Sequence, residues 1–199
     1  MISEEVDGLM RTENTEVLAL TIPTSLALLN LTEEPPHQLQ DLWRPNSWDI
    51  YLNSYLHRAN METKSERKVI FASNLERIIE MCQHAIIKHL KSLVTLLVEY
   101  LKETEDEPVR LACVACFRQL LVQAVPRITA HSLDILMCCV HVVASSHQSG
   151  NVKVLSETRE LVLVLKNSCN GSLDKHLECL KGFNNKGVQG MVNYVFAKK

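Results

Sequence analysis

From Leu90 onward the apolar residues fall at Leu90, Leu93, Val94, Leu97, Val98 and Leu101, with Lys91, Glu99 and Lys102 off that set. Steps of three and four residues place them on one face of a helix. The stripe ends in the charged stretch Glu103 to Glu107, and Pro108 follows, a residue suited to the first turn of a new helix because its missing N–H has no partner there anyway. On a wheel of about 100° per residue, the second helix gathers Val109, Ala112, Cys113, Cys116 and Leu120 in one sector, while Arg110, Val114 and Arg118 lie to the side and back. The pattern predicts a helix, a tight acidic turn, and a second helix with its inner face defined.

Similar second helices are predicted near Val17, Val69, Val109 and Val152, roughly forty to fifty residues apart. Each has a candidate first helix before it: Ser3 to Met10, Ser47 to His57, Ala85 to Lys102 and Thr129 to Ser145. A last pair, Ser172 to Lys181 and Gly187 to Ala197, follows the Asn170-Gly171 turn. Strict apolar/polar alternation is hard to find, so the chain reads as all-α, with helical hairpins following one another. The proline-rich segment 33–46 breaks the rhythm and reads as an inter-repeat loop within a single unit spanning 1–199.

The stretch LVTLLVEYLKETEDEPVRLACVACFRQLL, Leu93 to Leu121, resembles a HEAT or armadillo-type repeat: a leucine-rich first helix, an acidic turn, then Pro-Val-Arg with alanines three and six places after the valine. Val152-Lys153 and Val69 with Ala72 are partial copies, and the match fades at Val17, where Pro23 sits mid-helix. The resemblance implies a right-handed α-solenoid of four to five repeats. It implies a non-enzymatic protein-protein interaction scaffold or adaptor whose second helices line a concave binding face. Arg77, Arg110, Arg118, Lys153 and Glu157 are the partner-contact residues expected on that face. A chromosome, DNA-repair or meiotic assembly is one setting in which such scaffolds serve.

Solenoids need polar caps on their end repeats. The start of the chain and the last helix, with Met191, Val192, Val195 and Phe196, look uncapped. Docking or self-association through the ends is therefore expected, as for a piece or short isoform of a longer solenoid.

Composition narrows the picture. With 199 residues, 46% hydrophobic and 22% charged, the chain can bury a proper core. The formal charge is −2 and the basic residues are scattered, so direct nucleic-acid binding is not expected. The longest uncharged runs, Glu16 to Glu33 and Asp134 to Lys153, are interrupted by polar residues, and no membrane contact is expected. Acidic residues stand where a secretory signal would be basic, which points to a cytoplasmic or nuclear location.

Seven cysteines at irregular spacing read as reduced thiols. Cys113 and Cys116 form a Cys-x-x-Cys pair, but lie mid-helix on the inner stripe, where a neutral thiol behaves as a small hydrophobe. No metal, cofactor or catalytic residue is assigned. The alternative is a zinc-stabilised or nucleic-acid-associated helical module that uses the Cys and His residues, with Cys138, Cys139 and His141 as further ligands. Trp48, Tyr51, Leu52, Tyr55 and Leu56, after a Ser47 cap, are expected to pack in the core. Gly187 and Gly190 form a GxxG with no flanking sheet to support RNA binding.

Overall fold

Helix after helix is laid down by these stripes. The structure, a computed structural model, describes residues 8, 10–32 and 46–198, and among them there is no strand. The helices are α1 (Thr15–Thr32), α2 (Ser47–Asn60), α3 (Ser65–Cys82), α4 (Leu90–Glu103), α5 (Glu107–Gln123), α6 (Ser132–Ser149), α7 (Val152–Ser168), α8 (Asp174–Leu180) and α9 (Lys186–Ala197). Tighter 3₁₀ turns at Gln83–His89 and Arg127–His131 lead into α4 and α6. Segment 33–45 and nearly all of the expected Ser3 to Met10 helix lie outside the described residues; Met10 itself is buried.

Caps set the boundaries. α2 starts under Asn46 rather than Ser47: the Asn46 side chain accepts the Asp49 N–H at 2.8 Å. Asn151 and Asn185 cap α7 and α9 in the same way, each at 3.1 Å from the amide three residues on. Gly150 closes α6 in the left-handed region, φ 74°, and the next amide, Asn151 N–H, reaches back to the Ser146 carbonyl at 3.0 Å. That conformation suits glycine because it has no Cβ to clash.

Packing follows a two-row rule. α1 packs on α3, α3 on α5 and α5 on α7, the α3–α5 contact being the most extensive; α2 packs on α4 and α4 on α6. The rows are joined through α4 with α5 and α6 with α7, and α9 closes against α6, α7 and α8. One buried apolar cluster runs from Met10 to Val195. The five-residue group of α2 is buried as expected, with the Tyr55 hydroxyl donating to the Phe71 carbonyl and the Tyr51 hydroxyl 3.0 Å from Ser25 Oγ. The last helix also turns inward: Met191, Val192 and Val195 are buried, and Phe196 lies between the ammonium groups of Lys166 and Lys181, at 4.5 and 4.2 Å.

Two helices are long and apolar enough by composition to cross a membrane, Thr15–Thr32 and the helical stretch Arg127–Ser149. Half of the second is buried by its protein neighbours, as a core helix would be.

Because α5 touches α3, α4 and α7, more than one stripe of it is covered. Arg110, Val114, Phe117 and Leu121 are buried along with Val109, Cys113, Cys116 and Leu120. The one-sided wheel places Arg110 and Val114 outside, and a helix enclosed on three sides brings them in.

Candidate partner-binding surface

α3 and α5 each carry a cation at their fourth position, and in neither does that charge reach solvent. The fourth residue of α3 is Lys68 and the fourth of α5 is Arg110; both are buried. Each reaches the C-terminal end of α4 or α6. Lys68 Nζ donates to Glu103 Oε2 of α4 at 2.6 Å and lies 4.9 Å above the Tyr100 ring. Arg110 Nη1 donates to Ser146 Oγ of α6 at 2.9 Å, and its Nε to the Thr104 carbonyl just past α4, also at 2.9 Å. Arg110 is only 2% exposed and its Nη2 has no hydrogen-bond partner. Burial pushes its pKa down, while the Glu105 carboxylate pulls the other way. The ends of α4 and α6 supply the compensating negative potential. Arg110 is thus an interior clamp between two helix ends, and a partner has no access to it. In α7 the fourth residue is Leu155, so the clamp is not repeated.

The other four expected contact residues lie at or near the surface of the same row. Arg77 on α3 and Lys153 on α7 are exposed, while Arg118 and Glu157 are half-buried. Arg118 and Glu157 hold each other: Nη1 to Oε2 at 2.7 Å, and Nη2 to the Glu157 carbonyl at 2.9 Å, joining α5 to α7. One turn on, Glu160 accepts from the Tyr194 hydroxyl and from Lys198 Nζ at 3.0 Å, which joins α7 to α9.

Between these charges lies a strip the sequence reading missed. α5 presents Leu111, Ala112, Ala115 and Gln119, all half-buried, and then Val122, which is exposed. Small side chains at 112 and 115 keep this floor low. The two helices packed on α5 carry charged side chains at or near the surface: Glu76, Arg77 and Glu80 on α3, and Lys153, Glu157 and Glu160 on α7. A low apolar strip flanked by polar charges has the layout of a protein-protein interface. The signal was present as the spacing Leu111, Ala115, Val122, the complement of the buried stripe.

Two further openings lie among α2, α4 and α6. A groove of about 480 Å³ between α2 and α4 is lined by His57, Asn60, Lys91 and Thr95, and one of about 360 Å³ between α4 and α6 by Lys91, Lys102, His131 and Asp134. His89 Nε2 and Lys88 Nζ meet Asp49 within this chain, at 3.0 and 2.7 Å. His141, a candidate ligand in the zinc alternative, is exposed.

The Cys-x-x-Cys pair lies in the interior. Cys113 and Cys116 are buried, and Cys116 Sγ donates to the Ala72 carbonyl of α3 at 3.1 Å. Burial raises the pKa of both thiols, and it holds those of Cys82 and Cys138 at about 12. Among the described residues no three His, Cys, Asp or Glu side chains converge as a metal site would require. Of the seven free cysteines, Cys179 alone is exposed. A thiol reagent at pH 8 should therefore modify one cysteine of the folded chain quickly, and all seven once it is unfolded in denaturant. Fast modification of Cys113 or Cys116 in the native state would contradict this burial. The GxxG glycines also have a packing role: Gly187 lies against His147 of α6 and Gly190 against Arg159 of α7.

Comparison with family models, with curated proteins and with solved structures finds no match to this chain.

Proposed function

We propose that the chain is a non-enzymatic protein-interaction scaffold, a short α-solenoid of the HEAT or armadillo type whose second helices carry the binding face. The observation that carries this reading is the open α5 strip, Leu111, Ala112, Ala115 and Val122, between the charged edges of α3 and α7. The stacking of each helix on its next-but-one neighbour supports it, since repeats packed in sequence leave one side of each second helix continuous with the next. The partner that fits is a protein segment with an apolar ridge and flanking charges of both signs. Arg77 and Lys153 are exposed cations at its edges, and the Arg118–Glu157 pair bridges α5 to α7 along one of them.

Affinity capture from cell lysate, with the wild-type chain beside Ala115→Arg and the double variant Arg77→Glu with Lys153→Glu, tests the reading. Ala115→Arg raises the floor of the strip and should weaken capture of a true partner at least tenfold, about 1.4 kcal/mol, while the helical circular dichroism stays unchanged. If every protein held by the wild type is held equally well by both variants, the strip is not the binding face.

A further inference from the structure

Helix α1 is apolar on two opposite sides. Its inner side, Leu18, Ile22, Leu26 and Leu29, is buried, and α1 packs on α3. On the outer side Val17 is 40% exposed, Leu20 71%, Leu28 50% and Leu31 83%. From Val17 to Thr32 there is no charged residue at all.

The outer residues have a symmetric spacing. Thr24 lies at the centre; Leu20 and Leu28 stand four residues to either side of it, and Val17 and Leu31 seven. A run that reads the same in both directions matches its own reverse. Two such helices laid antiparallel bring Thr24 against Thr24, Leu20 against Leu28 and Val17 against Leu31, the arrangement a twofold interface demands. The steps of four and three keep all five positions on one seam. The Thr24 hydroxyl is already used, donating to the Leu20 carbonyl at 2.7 Å, so the methyl group is left to face the centre of the pair. With no charge along the seam, self-pairing buries no like-charged neighbours.

We propose that this outer face of α1 is the homodimer interface of the protein, an antiparallel helix pair with its twofold axis at Thr24. The facing surfaces bury on the order of 1,000 Å² in total, near the lower bound for a specific interface, so the dimer is a reversible one. A lipid surface fits less well. Interfacial helices carry Lys and Arg on their polar side, whereas α1 has none and its first turns carry Glu16, with Glu13 just before it. The proposal is independent of the α5 strip, which is on another helix.

Sedimentation of the full chain over about a twentyfold range of micromolar concentration tests it. The expected result is a rise toward twice the 22.6 kDa mass of one chain. Leu20→Glu with Leu28→Glu should hold the protein at the monomer mass without loss of helical content. Geometry is read by crosslinking in a Cys179→Ser background, since the other native thiols are buried. Thr24→Cys should form a disulfide-linked dimer, and so should Val17→Cys combined with Leu31→Cys. Leu31→Cys alone should not, because the two copies of residue 31 would lie about 21 Å apart. Three results would overturn the proposal: a monomer throughout, a dimer indifferent to the two glutamates, or a monomer whose α1 binds phosphatidylcholine vesicles.

Discussion

Replacing Arg110 with alanine is expected to lower the melting temperature by about 6–12 °C, because a loss of about 3 kcal/mol translates to roughly 2–4 °C per kcal/mol in a chain of this size. The side chain fills space at 2% exposure and satisfies the Thr104 carbonyl and Ser146 Oγ. Truncation leaves a cavity and removes donors from the ends of α4 and α6 together. Arg110→Met separates the two effects. It restores most of the volume but none of the hydrogen bonds, and buried ions often give way to hydrophobic residues of similar size at little loss. Methionine should therefore recover at least half of the alanine deficit. Arg110→Glu places an anion beside two helix C-termini and should be the most damaging of the three, at more than about 4 kcal/mol. Thermal unfolding followed by circular dichroism ranks them. If glutamate is tolerated as well as methionine, the clamp reading of Arg110 is wrong. Charge reversal at this residue therefore reports on stability, and tests of binding belong at Ala115, Arg77 and Lys153.

Arg110 also shows where sequence reading reaches its limit. Periodicity finds the helices because each has at least one well-marked buried stripe: the Leu90 to Leu101 stripe is α4, and Trp48 to Leu56 is the inner face of α2. It does not show how many neighbours a helix has. α5 has three, so residues that a one-stripe wheel assigns to solvent are enclosed. The frame read from Leu93 to Leu121 does not carry over to the stretch from Val152. Sequence similarity sets Val152 against Val109, yet Val152 is 75% exposed and Val154 is buried, because α7 starts under Asn151 and its third residue, not its first, is the one equivalent to Val109. Caps fix the register, and a Val-Lys pair that resembles Val-Arg does not. The last helix repeats the lesson. Its apolar residues look exposed in sequence, but α9 buries them against α6 and α7. In α1 the second apolar stripe is legible in sequence only as a long uncharged run. Its symmetry about Thr24 emerges once burial shows which half of that run faces outward.

Gly187 is the second site where one substitution should be felt strongly. A methyl group added there would lie 2.6 Å from His147 Cβ and 2.9 Å from Cγ, and 3.1 Å from the Asn185 Oδ1 that caps α9. The first two atoms belong to the root of a side chain on a packed helix, so they cannot swing away. Alanine normally favours a helix over glycine by about 1 kcal/mol. Here the overpacking and the disturbed cap should outweigh that gain, for a net loss of about 2 kcal/mol, or roughly 4–8 °C. Gly190 provides the contrast on the same helix. Its added methyl would meet only the far end of Arg159, Nη2 at 3.2 Å, which can move, so Gly190→Ala should be neutral or slightly stabilising. Moving the glycine across the contact is the decisive test. His147→Gly makes room for the methyl group of Gly187→Ala at a cost of only a few tenths of a kcal/mol of helix propensity in α6, so the double variant should be more stable than Gly187→Ala alone. Equal stability of the two would mean that the α6–α9 contact relaxes around the methyl group, and that the close approach at Gly187 does not hold the last helix in place.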